Sequence, residues 1–456
     1  MFSVTFTDGS GKMATVDFTW SVKAALVLYE WLWQAAIPLL SRNQRLKEGL
    51  PQRIGKPFPE GPFDIWIQAA SAGESYLACM LLDHLAATGA HRILITTNTR
   101  QGKDIIEAGI ANRPGSPTGT RCASAYFPFD RPSLMAAAVG AIQPRLVVLL
   151  ETEIWPGLLK TLKCRRIPCI IVNGRMRARS LRHYRVWPDL WRALAPERIL
   201  AVSPADANRY AGLYSPESVS VVPNMKFDRL RADPQSDPAN PVAQLIPPDR
   251  ALVVLGSVRR EEEEAVSRMI GHLRAHRPEL IIGLFPRHMH RIGPWQTRLA
   301  SGGIPGQLRS RTTAAAAPGS VILWDVFGEL SQAYATACGA FVGGSLAPLG
   351  GQNFLEPLPC GLVPVIGPSW ETFDWVGEDL FTNGLVRVAA DWRSAAEILL
   401  EIVASPPPRE AVREAFDAYL RDHQGGTARS AAAIAALLAR QRPMVPPNRR
   451  HRCRNG

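Results

Sequence analysis

The sequence predicts an α/β protein built as two doubly wound, Rossmann-like domains facing a cleft, with a helix ahead of them. Three observations predict this class. Apolar runs recur without the polar-apolar alternation of a half-exposed strand, as in LVVLL (146–150), CIIV (169–172), ALVVLG (251–256) and LIIGLF (280–285), so both faces of each strand are covered. Helical stretches separate the runs, as parallel pairing requires. The rhythm breaks at DRLRADPQSDPANPVAQLIPPDR (228–250), where Pro and Asp mark an interdomain linker. The 456 residues, 46% hydrophobic and 20% charged, hold enough apolar material for two such cores.

Taken in order, Trp20 to Leu40 reads WSVKAALVLYEWLWQAAIPLL, with Arg42, Arg45 and Lys47 behind it. Its length is marginal for a spanning helix, and Lys23 and Glu30 interrupt it. Trp-rich apolar surface flanked by cations suits a membrane-associated helix (20–41) lying on an anionic leaflet; a helix packed within a soluble domain is the other reading. As an anchor it should be removable without unfolding the two domains. A first domain is expected over 42–230, with strands at 61–70, 91–99, 124–130, 143–156, 167–175 and 197–204. A second is expected over 245–440, with strands at 251–258, 280–288, 320–325, 339–345, 362–368 and 385–389. Two helices, near 393–404 and 409–440, close it, and 441–456 is a basic tail.

The net charge of +12 suits a phosphate-rich substrate or an anionic membrane surface. The sequence carries no RNA- or DNA-binding signature, so nucleic acid is not expected as a partner. Seven cysteines (79, 122, 164, 169, 338, 360, 453) show no metal-ligand spacing, and most lie in apolar runs, as reduced core residues do. Neither a Walker A motif nor a strand followed by G-x-G-x-x-G is present.

Ligands of such sheets bind at the carboxyl ends of strands, and four sets of residues mark those ends. SAGE (71–74) caps a helix with Ser71 and places Glu74 in its first turn, either as ordinary helix-dipole chemistry or as a functional carboxylate. ETEIWP (151–156) puts Glu151 and Glu153 after a wholly apolar strand, either as a solvated turn or as a paired site. NGRMRARSLRHYR (173–185) offers guanidinium groups, among them Arg175 and Arg179, to an anion. The second domain contributes Ser257, Pro286-Arg287-His288, Phe327-Gly328-Glu329, and GGQNFLEP (350–357) with Asn353 and Glu356. If GGQNFLEP opens a helix, its amides suit a phosphate and Glu356 suits ribose hydroxyls. EEEE (261–264) reads as favourable charge at a helix start. No two aspartates lie two positions apart, so leaving-group charge falls to Arg, Lys and helix dipoles, without a metal.

In the order ETEIWPGLL, NGRMRARSLRHYR, VPNMKFD, FPRHMHR and FVGGSLAPLGGQNFLEP, the chain resembles the 3-deoxy-D-manno-octulosonic acid (Kdo) transferases of lipopolysaccharide assembly, which are GT-B glycosyltransferases. The resemblance runs through most of 20–440. It implies inverting transfer of Kdo from CMP-Kdo to the lipid A precursor lipid IV(A), without a cofactor, on the cytoplasmic side of the inner membrane. It implies Glu74 as general base, and Pro286, Arg287, His288, Phe327, Gly328, Glu329, Asn353 and Glu356 around the nucleotide sugar. Arg175, Arg179, Lys226 and Ser257 would meet substrate anions. Three stretches depart from the family pattern: GGQN for GGHN, SVRR (257–260) for S-T-H-P, and NGRM for N-A-R-L. These departures keep two alternatives open, a transferase of the same scaffold with altered donor or acceptor, and an inactive membrane-bound homologue.

Overall fold

A computed structural model describes residues 18–55, 57–89, 91–113, 119–230 and 240–441. It divides into two units, residues 1–228 with 424–456, and residues 229–423. In the first, β1 (Phe63–Ala69), β2 (Arg92–Thr97), β3 (Arg121–Tyr126), β4 (Pro144–Leu150), β5 (Cys169–Gly174), β6 (Arg198–Ala201) and β7 (Val219–Val221) form one sheet in the order β3-β2-β1-β4-β5-β6-β7. In the second, β8 (Leu252–Val258), β9 (Ile281–Pro286), β10 (Gly306–Leu308), β11 (Val321–Leu323), β12 (Gly339–Val342), β13 (Pro364–Ile366) and β14 (Arg387–Val388) run β10-β11-β9-β8-β12-β13-β14. Every pairing is parallel. The continuous apolar runs follow from this. Trp66, Val147, Leu149 and Ile171 face one core of the first unit, while Ile65, Ile67, Val148 and Ile170 face another on the opposite side of the sheet. Strands β7 and β10, three residues each at a sheet edge, are absent from the sequence-based expectation; VSV and GQL lack the continuous apolar run by which the other strands are read.

The helix Trp20–Leu40 is part of the first unit. Val22, Ala25 and Leu26 are buried in its core. Tyr29 Oη donates to Asp130 Oδ2 at 2.9 Å, Glu30 binds Arg131 and Ser133, and Trp33 stacks on Phe129 with centroids 5.6 Å apart. The expectation that 1–41 can be removed without unfolding the two domains is therefore corrected: removal would open a core and strip a buried carboxylate of a donor. No helix among the described residues is long and apolar enough to cross a membrane. The outward face of Trp20–Leu40 still exposes Trp20, Val27, Leu28, Trp31, Leu32 and Leu39.

The second domain, expected to run to 440, ends instead at His423. The closing segment is two helices, Arg409–His423 and Gly426–Arg440, and the second packs on the first unit. Ala431, Ile434, Leu437 and Leu438 enter the core beneath β1, β4 and β5. Asp228 fixes the return, accepting from Gly425 N and Thr427 N, each at 2.6 Å. Of the expected linker, 231–239 lie outside the described residues, as does the basic tail from 442. Asn240 already belongs to the second unit, donating to Gln332 O at 3.1 Å.

Candidate functional site

The residues expected to act form two half-sites, one in each unit. In the first unit, β1 ends at Ala69 and the helix Ala72–Ala86 begins shortly after it. Ser71 Oγ accepts from Glu74 N at 3.3 Å, so the cap turns Glu74 back over the strand end. Glu74 Oε2 accepts from Ala70 N at 2.7 Å and Oε1 from Ser71 Oγ at 3.1 Å. Only 6% of Glu74 is exposed. Burial, then the neighbouring Glu153, push its carboxyl up to about 8 despite these donors, with Glu151 adding to the effect.

Glu153 is pushed up to about 7, again by burial first; the nearby Trp155 indole offsets part of this without reaching hydrogen-bonding geometry, and Glu151 adds to the rise. Its Oε2 is buried with no hydrogen-bond partner among the described residues. Glu151 is instead paired: Lys226 Nζ lies 2.6 Å from its Oε1, and Asn173 Nδ2 donates to the same atom at 3.3 Å. Lys226 thus holds a protein carboxylate. Arg175 is half-buried beside this cluster, its N–H donating to Glu151 O at 3.3 Å, and Arg179 is exposed in the short helix Ala178–Tyr184.

In the second unit, Pro286 ends β9 and Arg287 N donates to Val258 O at 2.8 Å. Arg287 Nε donates to Gln352 Oε1 at 3.0 Å. His288 is exposed and stacked on His290, 5.5 Å between centroids; partial desolvation, then Arg259 and Arg287, push its pKa down. Asn353 Nδ2 donates to Glu356 Oε1 at 2.9 Å. Glu356 is exposed by surface area, yet desolvation by the atoms packed near its carboxyl raises the pKa, with Asn353 and then Arg287 lowering it in part. Phe327 is 84% exposed and Gly328, at φ +89°, has open space where a side chain would project. Glu329 differs from its neighbours in being fully engaged, by Arg309 Nε at 2.7 Å, Arg309 Nη2 at 3.0 Å and Trp324 Nε1 at 2.8 Å. It braces this loop.

The expected helix at GGQNFLEP is not formed. Residues 354–357 turn, and a 3₁₀ segment, Leu358–Cys360, comes next. Pro357 and Pro359 remove the N–H donors a helix needs, and Gly361 at φ +73° ends the turn. Glu356 therefore stands beside Arg287 and Asn353 on a turn, not at a helix start.

Backbone strain marks both half-sites. Among the described residues, five non-glycine residues have positive φ. Gln143 and Arg166 terminate helices, while Glu151 (+55°), Asn173 (+56°) and Ser257 (+55°) sit at or just past the ends of β4, β5 and β8. Such conformations cost about 1–3 kcal/mol each and gather at functional sites. Two residues of these half-sites escape a reading of the sequence. One is Asn173, which ties Glu151 to Met225 N at 2.8 Å. The other is Glu262, whose Oε1 accepts from Arg259 N at 2.8 Å; with an arginine, which has no acceptor, three residues before it, the sequence carries no capping-box signal for this contact. Among the described residues no group of three or more His, Cys, Asp or Glu is arranged to hold a metal ion.

A family profile described as 3-Deoxy-D-manno-octulosonic-acid transferase (kdotransferase) matches residues 43–229. The chain is 29% identical to a 3-deoxy-D-manno-octulosonic acid transferase of Bordetella pertussis, over 91% of this chain and 97% of that one. It is also 29% identical to the protein of that name from Haemophilus influenzae, over 86% and 92%. In fold it resembles a glycosyltransferase from Rickettsia africae, with TM-score 0.56, 9% identity, and coverage of 84% of this chain and all of that one. The profile over the first unit and the two relatives aligned along most of the chain support the Kdo transferase family of glycosyltransferases, and the two parallel-sheet units resemble the GT-B fold.

Proposed function

We propose that the chain transfers Kdo from CMP-Kdo to lipid IV(A) in lipopolysaccharide biosynthesis, with inversion and without a metal, using Glu74 as general base. The observation that carries this is Glu74 itself: a buried carboxyl at a strand end, with its pKa raised to about 8 and two more glutamates beside it. A carboxyl with its pKa near the working pH is ionised in part and, once ionised, is a stronger proton acceptor than an ordinary carboxylate, which is what a base taking the acceptor hydroxyl proton needs. The acceptor oxygen forms a bond to the anomeric carbon as its proton passes to Glu74. The bond from that carbon to the phosphate oxygen breaks, and CMP departs with the electron pair. In this reading Arg287 meets the departing phosphate, and Glu356 with Asn353 meets ribose hydroxyls; the contacts among Arg287, Gln352, Asn353 and Glu356 support it. Incubation with CMP-Kdo and a tetraacylated lipid A precursor tests the reading: glycolipid and CMP should appear in equal amounts, with chelator present.

One observation favours a second reading, a transferase of altered donor. Gln352 occupies one edge of Arg287, so that guanidinium enters the site already engaged. CMP binding without Kdo transfer would select it, and absence of CMP binding would select an inactive homologue. We also propose the cytoplasmic face of the inner membrane as the location, on the strength of the exposed Trp20, Trp31 and Leu32 face. Flotation with anionic vesicles checks it: Trp31→Asp with Leu32→Asp should stay with the soluble fraction, and unchanged flotation would refute the contact.

A further inference from the structure

Glu262 lies beyond β8 in the 3₁₀ turn Arg260–Glu262 and is 2% exposed. Its carboxylate accepts from Gly344 N at 2.5 Å, Ser345 N at 3.2 Å, Leu346 N at 3.2 Å and Arg259 N at 2.8 Å. Three consecutive amides converging on one anion form a nest, the backbone device that elsewhere holds phosphate. The nest opens just past β12, where a parallel sheet presents its ligands. Here the protein fills it with its own carboxylate. The space is tight: a Cβ on Gly343 would stand 2.4 Å from Glu262 Oε1.

The nest is wired to the half-site. Gly351 N donates to Gly344 O at 2.8 Å, and Gln352 N to Gly343 O at 3.1 Å. Gln352 Oε1 then receives Arg287 Nε. A line of hydrogen bonds therefore runs from Glu262, through residues 343–344 and 351–352, to the guanidinium facing the donor. On the other side Arg259 N ties the same carboxylate to the loop beyond Ser257.

We propose that Glu262 is a positioning residue for donor binding, an internal anion that locks the loops carrying Ser257 and Gln352 and thereby aims Arg287, while denying its amide nest to the substrate phosphate. The inference rests on the donor reading above. Burial raises the carboxyl's pKa and the four amides pull it back, so the charged form depends on the nest being closed.

The test is chemical rescue. Glu262→Ala empties the nest; CMP affinity should fall about tenfold or more, as for lost charged hydrogen bonds, and the thermal midpoint should drop. Acetate should restore both and acetamide neither. CMP affinity within about twofold of wild type, or equal rescue by acetamide, overturns the proposal. Should that variant fail to fold, Glu262→Gln keeps the shape without the charge; donor KM should rise while kcat holds, and an unchanged KM overturns the proposal equally. If wild type itself does not bind CMP, the donor reading falls, yet recovery of the midpoint by acetate alone still decides whether the nest takes an anion.

Discussion

Glu74 and Glu262 occupy the same place in two sheets. Each lies beyond the first strand of its unit, β1 or β8, at the start of the next helical segment, and each is buried. Glu262 receives four backbone N–H groups, and burial and those amides set its pKa with no carboxylate contributing. Glu74 receives one N–H and one hydroxyl and faces Glu153 and Glu151. Donor supply decides what a buried carboxylate can do. A saturated one is an internal anion that stiffens loops. A starved one is held near its proton-transfer point, at the expense of folding stability.

The hardest test of that contrast is removal of the starved group. Glu74→Gln should lower transfer by about 10²–10⁴-fold while CMP affinity stays near wild type. Folding should not suffer. A carboxyl whose folded pKa is raised binds more protons folded than unfolded between about 4.5 and 8, so it draws stability down as pH climbs through that window. The Gln variant should therefore show a flatter decline of thermal midpoint over that range. Retained turnover would remove Glu74 from the base role.

Next in size is Glu356→Ala, which should weaken CMP binding by about 1–3 kcal/mol, read by calorimetry. Unchanged affinity would place ribose elsewhere. A smaller effect separates Glu153 from Glu74. The limb of kcat/KM that rises towards about 8 reports the free-enzyme base. Glu153→Gln removes a like charge and should move that limb to lower pH; because the two titrate together, the shift belongs to the pair. A limb that does not move would mean Glu153 exerts no field on the base.

Much of the fold was legible in the sequence where composition alone decides. Strands buried on both faces must be apolar throughout, so LVVLL and ALVVLG announced parallel sheets, and S-x-x-E announced a capped helix with Glu74 in its first turn. What depends on distant partners was not legible. Nothing local in Gly426–Arg440 says which sheet its apolar stripe covers; Asp228, meeting Gly425 and Thr427, settles it. EEEE reads as dipole chemistry, yet the structure gives three of its members separate tasks: Glu262 holds a loop, Glu263 pairs with Arg291, and Glu264 meets Arg298 and Arg268. Likewise Glu329 looks like a ligand contact until Arg309 and Trp324 are seen to use it.

Asp130 carries the comparison inside the first unit, with the smallest expected effect. It is wholly buried, and burial raises its carboxyl to about 7, but Gly157 N at 2.8 Å, Leu158 N at 2.7 Å and Tyr29 Oη supply three donors. By donor count it stands with Glu262, although complete burial lifts its carboxyl about as far as that of Glu74, and its task is structural: it holds the helix Trp20–Leu40 to the start of Pro156–Arg165. Tyr29→Phe deletes one donor and leaves both amides. Stability should fall by about 1 kcal/mol, seen as a lower urea midpoint with unchanged slope. Transfer in detergent should be unaffected, since no reacting group is touched. A loss of turnover larger than the loss of stability would mean that this helix, beyond its packing, shapes the carboxylate cluster at Glu74, and donor count alone would no longer sort the buried acids by task.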